Sequence, residues 1–362
     1  MRKQDKRAKK PAHERNSDVK ISRRYRLRPD EVEVLEDYRR IKDECESAGV
    51  DHTTIKSGWI KSDDSSLYFK NPNYKTPTEQ GVERMMDELI ESVKEFAPNI
   101  PTIKRKKSKD GHLLVIDPAD VHIGKLCVAF ETGEDYDSQV AVQRVKDGVQ
   151  GILDKSSGFN IDKILLIIGN DILHTDTPKR TTTSGTSQDT HGMWYENFMT
   201  GVDLYCDVIQ MLMSVADVHV QFDPSNHDYQ SGFYLAQIIS AHFKNAKNVT
   251  FNVSIAHRKY FRYHSNLIGS THGDGAKFQD LPLLMAQESK EWSETKHRYI
   301  YTHHVHHKQS KDFPGVTVES LRSPSGTDSW HHRNGYQHNP KAVEGFIHHK
   351  EFGQVARLTH IF

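Results

Sequence analysis

The sequence predicts a layered α/β fold with a small, mainly helical N-terminal appendage, and three observations in its 362 residues predict it. Short apolar runs of strand length, Leu113–Asp117, Lys163–Gly169 and Val218–Asp223, alternate with longer stretches of helical periodicity, Gln139–Lys155, Met193–Val215 and Tyr229–Phe243. Each apolar run is followed within three residues by Asp or Asn, so these side chains collect along one sheet edge, where open α/β sheets keep their sites. From Val249 onward strands dominate, at Val249–Ser254, Tyr260–Thr271, Arg298–His303 and Val316–Leu321, with one long helix expected over Lys277–Trp292.

The N-terminal part divides by composition. Residues 1–20 read as a basic, disordered tail. Residues 21–70 read as a small helix-turn-helix-like unit. In it Pro29, Asp30 and Glu31 open a helix that Gly49 ends, and an extended run follows at Ser66–Lys70. A helical cap on the main domain explains the same pattern equally well. Residues 71–110 are a linker and a helix, Glu79–Phe96, with Val82, Met85, Met86, Leu89, Ile90 and Val93 at helical spacing. The main domain then runs over 111–362.

Lys+Arg and Asp+Glu balance at 49 each, so net charge excludes neither acidic nor basic partners, but the basic residues crowd toward the N-terminus. Such an arm suits nucleic acid, and a merely solvated terminus accounts for it too. Three widely spaced cysteines, Cys45, Cys127 and Cys206, form no disulfide framework and fit a reducing cytoplasm. The charged N-terminus lacks the apolar core of a signal peptide, and no apolar run reaches spanning length. The chain holds 23 histidines, crowded toward its C-terminal half, which makes a metal site plausible before any motif is read.

Five strings carry the chemistry: Asp120-Val121-His122, Gly169-Asn170-Asp171, Asn226-His227-Asp228, His272-Gly273 and His304-Val305-His306. Alternate residues of an extended segment share a side, so Asp120 with His122, and His304 with His306, can each reach toward one place. Asp117 rivals Asp120 but has no His two positions on. Asp171, after an apolar strand, is the best bridging carboxylate, although an isolated Asp there is ordinarily a helix cap. A lone strand-end His is ordinarily a satisfied polar residue. The joint occurrence of five such motifs, in order, outweighs those readings and points to two adjacent divalent cations and phosphoester hydrolysis.

As a set, these motifs resemble the calcineurin-like metallophosphoesterase pattern D-x-H, G-D, G-N-H-[DE], H, G-H-x-H, over roughly residues 111–325. The resemblance implies an α-β-β-α sandwich holding two divalent ions, with manganese first and iron, zinc, nickel or magnesium as alternatives. One ion would take Asp120, His122, Asp171 and His306; the other Asp171, Asn226, His272 and His304. Hydroxide between the metals would attack phosphorus, and His227 would be the general acid. The chain departs from the pattern at Asn170, Ser225 and His303, which stand where the family has Gly-Asp, Gly-Asn and Gly-His. These departures leave the register of His303, His304, His306 and His307 open.

His174, three residues after Asp171, stands where SbcD-like DNA repair nucleases also carry His, which tilts the expected substrate toward a nucleic-acid phosphodiester. A small nucleotide or phosphate monoester is the alternative, and a non-catalytic DNA-binding or assembly role a third. Two polar segments, Lys179–Asp189 and Gly326–His332, are similar to segments of phage and prophage members of the family. Lys179 and Arg180 are expected to meet phosphates there and Trp330 to stack a base. Loop closure and packing are the plain alternatives. The expected setting is the cytoplasm of a bacterial or phage-infected cell, with no membrane partner.

Overall fold

A computed structural model describes residues 109–362 throughout, and before them residues 39, 42, 43, 45–47, 49, 51, 55–61, 66–70, 74, 98 and 100–105. The chain divides into two compact units, residues 1–89 and 90–362. In the first, β1 (Ser57–Lys61) and β2 (Ser66–Lys70) form an antiparallel hairpin with Trp59 opposite Tyr68. Residues 39, 42, 43 and 45–47 are helical. The basic tail 1–20, most of the expected helix-turn-helix-like unit and the helix expected over Glu79–Phe96 lie outside the described residues.

The second unit has residues 103–105 tied to its sheet. The Ile103 N–H donates to Asn248 Oδ1 at 2.8 Å, and Arg105 pairs with Asp217 at 2.6 Å. Its elements run in the order β3 (His112–Asp117), α1 (Ala129–Thr132), α2 (Ser138–Lys155), β4 (Ile161–Gly169), α3 (Trp194–Val215), β5 (Asp217–Asp223), α4 (Tyr229–His242), β6 (Val249–Asn252), β7 (Lys259–Tyr263), β8 (Asn266–Thr271), α5 (Leu281–Glu288), β9 (His297–Thr302), β10 (Gln309–Phe313), β11 (Val316–Ser320), α6 (Ser329–Arg333), β12 (Ala342–His349) and β13 (Gly353–Ile361).

The strands make two sheets. Six line up as β13-β12-β3-β4-β5-β6, with β3 through β6 parallel, and five as β10-β11-β9-β8-β7, with β8, β9 and β11 parallel. Alternation of side chains assigns the layers. Leu113, Val115, Leu165 and Ile167 turn inward and pack with Ile268, Tyr301 and Phe346 between the sheets. Leu114, Ile116, Ile164, Leu166 and Ile168 turn the other way, against Val145 and Ile152 of α2, Leu204 and Leu212 of α3, and Leu235 and Ile239 of α4. Leu267, Ile300 and Val318 cover the far face of the smaller sheet with Leu281 and Met285 of α5. The result is an α-β-β-α sandwich, as expected. Strands buried on both faces explain why β3 and β4 read as unbroken apolar runs.

Local signals hold the helices. Asp137 caps α2, its carboxylate accepting from the N–H groups of Gln139 and Val140 at 2.8 and 2.9 Å. Three expectations need correction. The run Tyr260–Thr271 is not one strand but the hairpin β7–β8, turned at His264, which takes φ 49°. The long helix Lys277–Trp292 shrinks to the eight residues of α5, with Pro282 in its first turn. The strands β10, β12 and β13 were not expected.

Candidate metal centre

The five motifs meet at one end of the sandwich, in the loops leaving β3, β4, β5, β8 and β9. Their backbones are laced together. The N–H groups of Asp120 and His122 donate to the carbonyls of Asn170 and Asp171 at 2.7 and 2.9 Å. The Asp171 N–H donates to Ser225 Oγ at 2.7 Å. Asp120, His122, Asn170, Asp171, His304 and His306 all take positive φ, between 52° and 71°. Side chains seldom accept this conformation, and such residues cluster where a site over-determines them. Gly169 is required by close approach: at φ 95°, a Cβ there would lie 2.0 Å from the Asp223 carbonyl oxygen.

Among the described residues four groups of side chains have ligand atoms within 4.8 Å of one another, three of them at this end: Asp120 with His122 and His306, Asp171 with His272 and His304, and the purely imidazole set His122, His174 and His227. Asp171 stands between the first two, one oxygen lying 3.3 Å from His272 Nε2 and 3.9 Å from His122 Nε2. Asn226 Oδ1 is 2.8 Å from the same His272 nitrogen. His306 Nε2 lies 3.4 Å from Asp120 and 3.3 Å from His122 Nε2. Of the competing histidines, His303 turns inward to Asp117 at 2.8 Å, and His307 turns back to the Val305 carbonyl. His304 and His306 are thus the two of that cluster that join the ligand groups.

The donor set fits divalent cations. Carboxylate and imidazole atoms converge there, and His122 Nε2 faces His306 Nε2 at hydrogen-bond distance. The field also asks for positive charge. Burial opposes ionisation of Asp171, but the charge and hydrogen bond of His272 and the His227 N–H, 3.0 Å away, hold its carboxyl well below the usual range. Burial lowers the His272 pKa, yet Asp171 outweighs it and lifts the ring to about 9. A bound cation supplies that charge in place of the proton. Burial drives His122 and His174 the other way, well below the ordinary imidazole value, and their Nδ1 atoms meet at 3.4 Å.

The fourth grouping, Asp110, His112 and His349, fails the same test. There His349 Nδ1 accepts from the N–H groups of Glu351 and Phe352, at 3.1 and 3.2 Å. That tautomer carries its proton on Nε2, which donates to Asp110 at 2.8 Å. The ring has no lone pair left for a metal.

His227 and His174 sit beside the ligands. Their rings stack at 5.3 Å and 20°, and His227 also meets the His122 ring edge-on at 4.6 Å. A cavity of about 500 Å³ opens over them, bounded in part by Lys125, Asp189, Asp328, Trp330 and His331. Trp330 therefore reaches the cavity. Lys179 and Arg180 do not line it: Lys179 is exposed, and the Arg180 guanidinium contacts Met193 Sδ at 4.0 Å. Sequence reasoning missed Lys125, whose buried ammonium pairs with Asp328 at 2.9 Å, and Asp328 itself, which binds His331 Nδ1 at 2.7 Å. The signal was present in Lys125 following Gly124 directly after the first motif.

Comparison with protein-family models finds no match, and comparison with curated proteins finds none. Solved structures resemble the chain distantly. An archaeal phosphodiesterase is 8% identical, covering 69% of this chain and 99% of its own, with a TM-score of 0.33. A zinc complex of Vps29 from Entamoeba histolytica is 12% identical over 69% of this chain and 98% of its own, with a TM-score of 0.28. A conserved uncharacterized protein from Streptococcus pneumoniae, described as a predicted phosphoesterase, is 14% identical over 69% and 98%, with a TM-score of 0.28. The strand order and layers define the class: an α-β-β-α sandwich with His/Asp groups able to hold metal at one end.

Proposed function

We propose that the chain is a calcineurin-like metallophosphoesterase that hydrolyses phosphodiester bonds of nucleic acid, DNA first among them. The observation that carries this reading is the Asp171 carboxylate, which stands between two separate ligand groups and is the natural wall between two cations. Asp120, His122 and His306 would hold one ion, and Asn226, His272 and His304 the other, with Asp171 serving both. Bound divalent cations supply positive charge to phosphate oxygens and acidify water.

The chain's own groups do the rest. The His227 Nδ1–H donates to the His174 carbonyl at 2.9 Å, because a carbonyl can only accept. Nε2 is then the nitrogen free to serve the departing oxygen, which it can protonate only when the ring is in its imidazolium form. His174 stacks on the same ring and keeps it from turning. Buried Lys125, paired with Asp328, ties the wall of the cavity to the loop after the first motif. Lys179 and Arg180, outside the cavity, would meet phosphates farther along a polyanion, and the basic composition of the N-terminal stretch favours the same kind of partner. Preference for a diester over a small monoester is supported by the His174–His227 pair.

The test is purification with Mn²⁺, metal analysis, and assay on bis(p-nitrophenyl) phosphate, single- and double-stranded DNA, RNA and mononucleotide esters. Cleavage of the diester and of DNA is expected. Turnover of monoesters alone would move the reading to a small-molecule phosphatase. Inertness on every ester with Mn²⁺, Mg²⁺, Zn²⁺ and Fe²⁺ would overturn it.

A further inference from the structure

The segment 326–336 is fastened over the cleft in a way its own packing does not require. Asp328 caps the short helix α6, accepting from the His331 N–H at 2.8 Å and from His331 Nδ1 at 2.7 Å. Its other oxygen meets the buried Lys125 ammonium at 2.9 Å, which ties the helix to the loop after the first ligand pair. His331 then lies flat against His306, ring centroids 4.9 Å apart and planes 15° from parallel. Two contacts, Asp328 with Lys125 and His331 with His306, therefore fix the position of α6 relative to the candidate ligands.

What this anchored segment presents outward is aromatic. Trp330 is 61% exposed and Tyr336 51% exposed, their rings 5.9 Å apart and inclined by 36°. Trp330 lines the cavity beside His306 and His331. Large aromatic rings left this open bury little of their own surface, so folding gains little from them. A flat apolar face continuous with the cleft that holds the candidate ligand groups matches one chemistry: an unstacked nucleobase whose own phosphate lies in the cleft.

We propose that Trp330, with Tyr336 beside it, is a stacking platform for a base flanking the scissile phosphate, so that the site takes single-stranded nucleic acid in preference to intact duplex. This rests on the phosphodiesterase reading and specifies its substrate. Asp328 is the positioning residue, acting through α6.

The experiment measures binding of the full, Mn²⁺-loaded chain to a fluorescein-labelled, phosphorothioate-linked oligothymidylate of about ten nucleotides. The comparison probes are an abasic backbone of equal length and the oligothymidylate annealed to its complement. Trp330→Ala is expected to weaken oligothymidylate binding about 5- to 100-fold, the worth of one base–aromatic stack, while Trp330→Phe retains most of it. The wild type should bind the abasic backbone and the duplex more weakly, and Trp330→Ala should cost nothing further on the abasic probe. Equal oligothymidylate affinity for Trp330→Ala and wild type overturns the proposal. So does equal wild-type affinity for the abasic and base-bearing strands, or no binding of the strand at all. Hydrolysis of base-free bis(p-nitrophenyl) phosphate by the wild type reports separately on the phosphodiesterase reading. Its failure with intact stacking counts against that reading alone.

Discussion

The His227 ring is pinned by the backbone of His174, whose carbonyl accepts from Nδ1 at 2.9 Å. This bond decides the tautomer and turns Nε2 toward the cavity. His227→Ala removes that nitrogen and keeps the backbone N–H that holds Asp171. Turnover of a phosphodiester should fall about 10²- to 10⁴-fold, with metal content unchanged. Steady-state kinetics with parallel metal analysis checks this. A variant within threefold of wild type removes His227 from the chemistry.

Metal removal should loosen the fold as well as silence it. Ions that bind only the folded chain stabilise it by about 2.7 kcal/mol at a hundredfold excess over Kd. Chelation by EDTA should therefore lower the melting temperature by several degrees, with Mn²⁺ restoring both stability and turnover. Calorimetry in both states reads it, and an unchanged transition denies a metal site of any strength.

Gly169→Ala should be severely destabilising although only one methyl is added. Its Cβ would fall 2.0 Å from the Asp223 carbonyl oxygen, at a φ of 95° that alanine avoids. The backbone cannot yield there, since β4 and β5 are hydrogen-bonded up to that pair. A loss of at least about 3 kcal/mol in denaturant unfolding is expected. A loss under 1 kcal/mol would show that the strand end has room to move.

Acid should unfold the chain partly through His348. Burial, helped by His297, pushes its pKa from 6.5 to about 3. The proton is thus favoured in the unfolded state. The group's contribution is complete above pH 6.5 and is lost as the pH falls from 6.5 toward 3, at up to about 1.4 kcal/mol per unit. His348→Gln can still meet the Tyr301 hydroxyl, which lies 2.9 Å from His348 Nε2. Between pH 6 and 4 the variant should lose about 2–3 kcal/mol less stability than wild type. Identical acid slopes would show that His348 is hydrated or paired in the folded state.

The strands β3 and β4, which carry the first two ligand motifs, were legible because they are buried on both faces and read as plain apolar runs. β12 was not, although it too is buried along its length. Its sequence includes Glu344, His348 and His349, which suggest a surface. Glu344 is buried in the company of Arg322 and Arg357, which pair with it from outside its own strand. The β7–β8 turn was hidden for a related reason: His264 and Ser265 carry no Gly or Pro, and His264 accepts the left-handed conformation itself. The ligand motifs stood out as a set. Lys125, Asp328 and His331 did not, because their meaning lies in contacts across some 200 residues. The register of His303 to His307 also needed coordinates, since adjacent histidines differ only in the direction they face.

The most direct measurement is the metal content of Asp171→Asn against wild type, each purified with Mn²⁺ and dialysed identically. The wild type should hold two ions per folded chain. The variant should fall below one, with diester hydrolysis lost in step, because both ligand groups lose their shared carboxylate. A folded variant that keeps two ions, or a wild type that holds none, would contradict a centre built around Asp171.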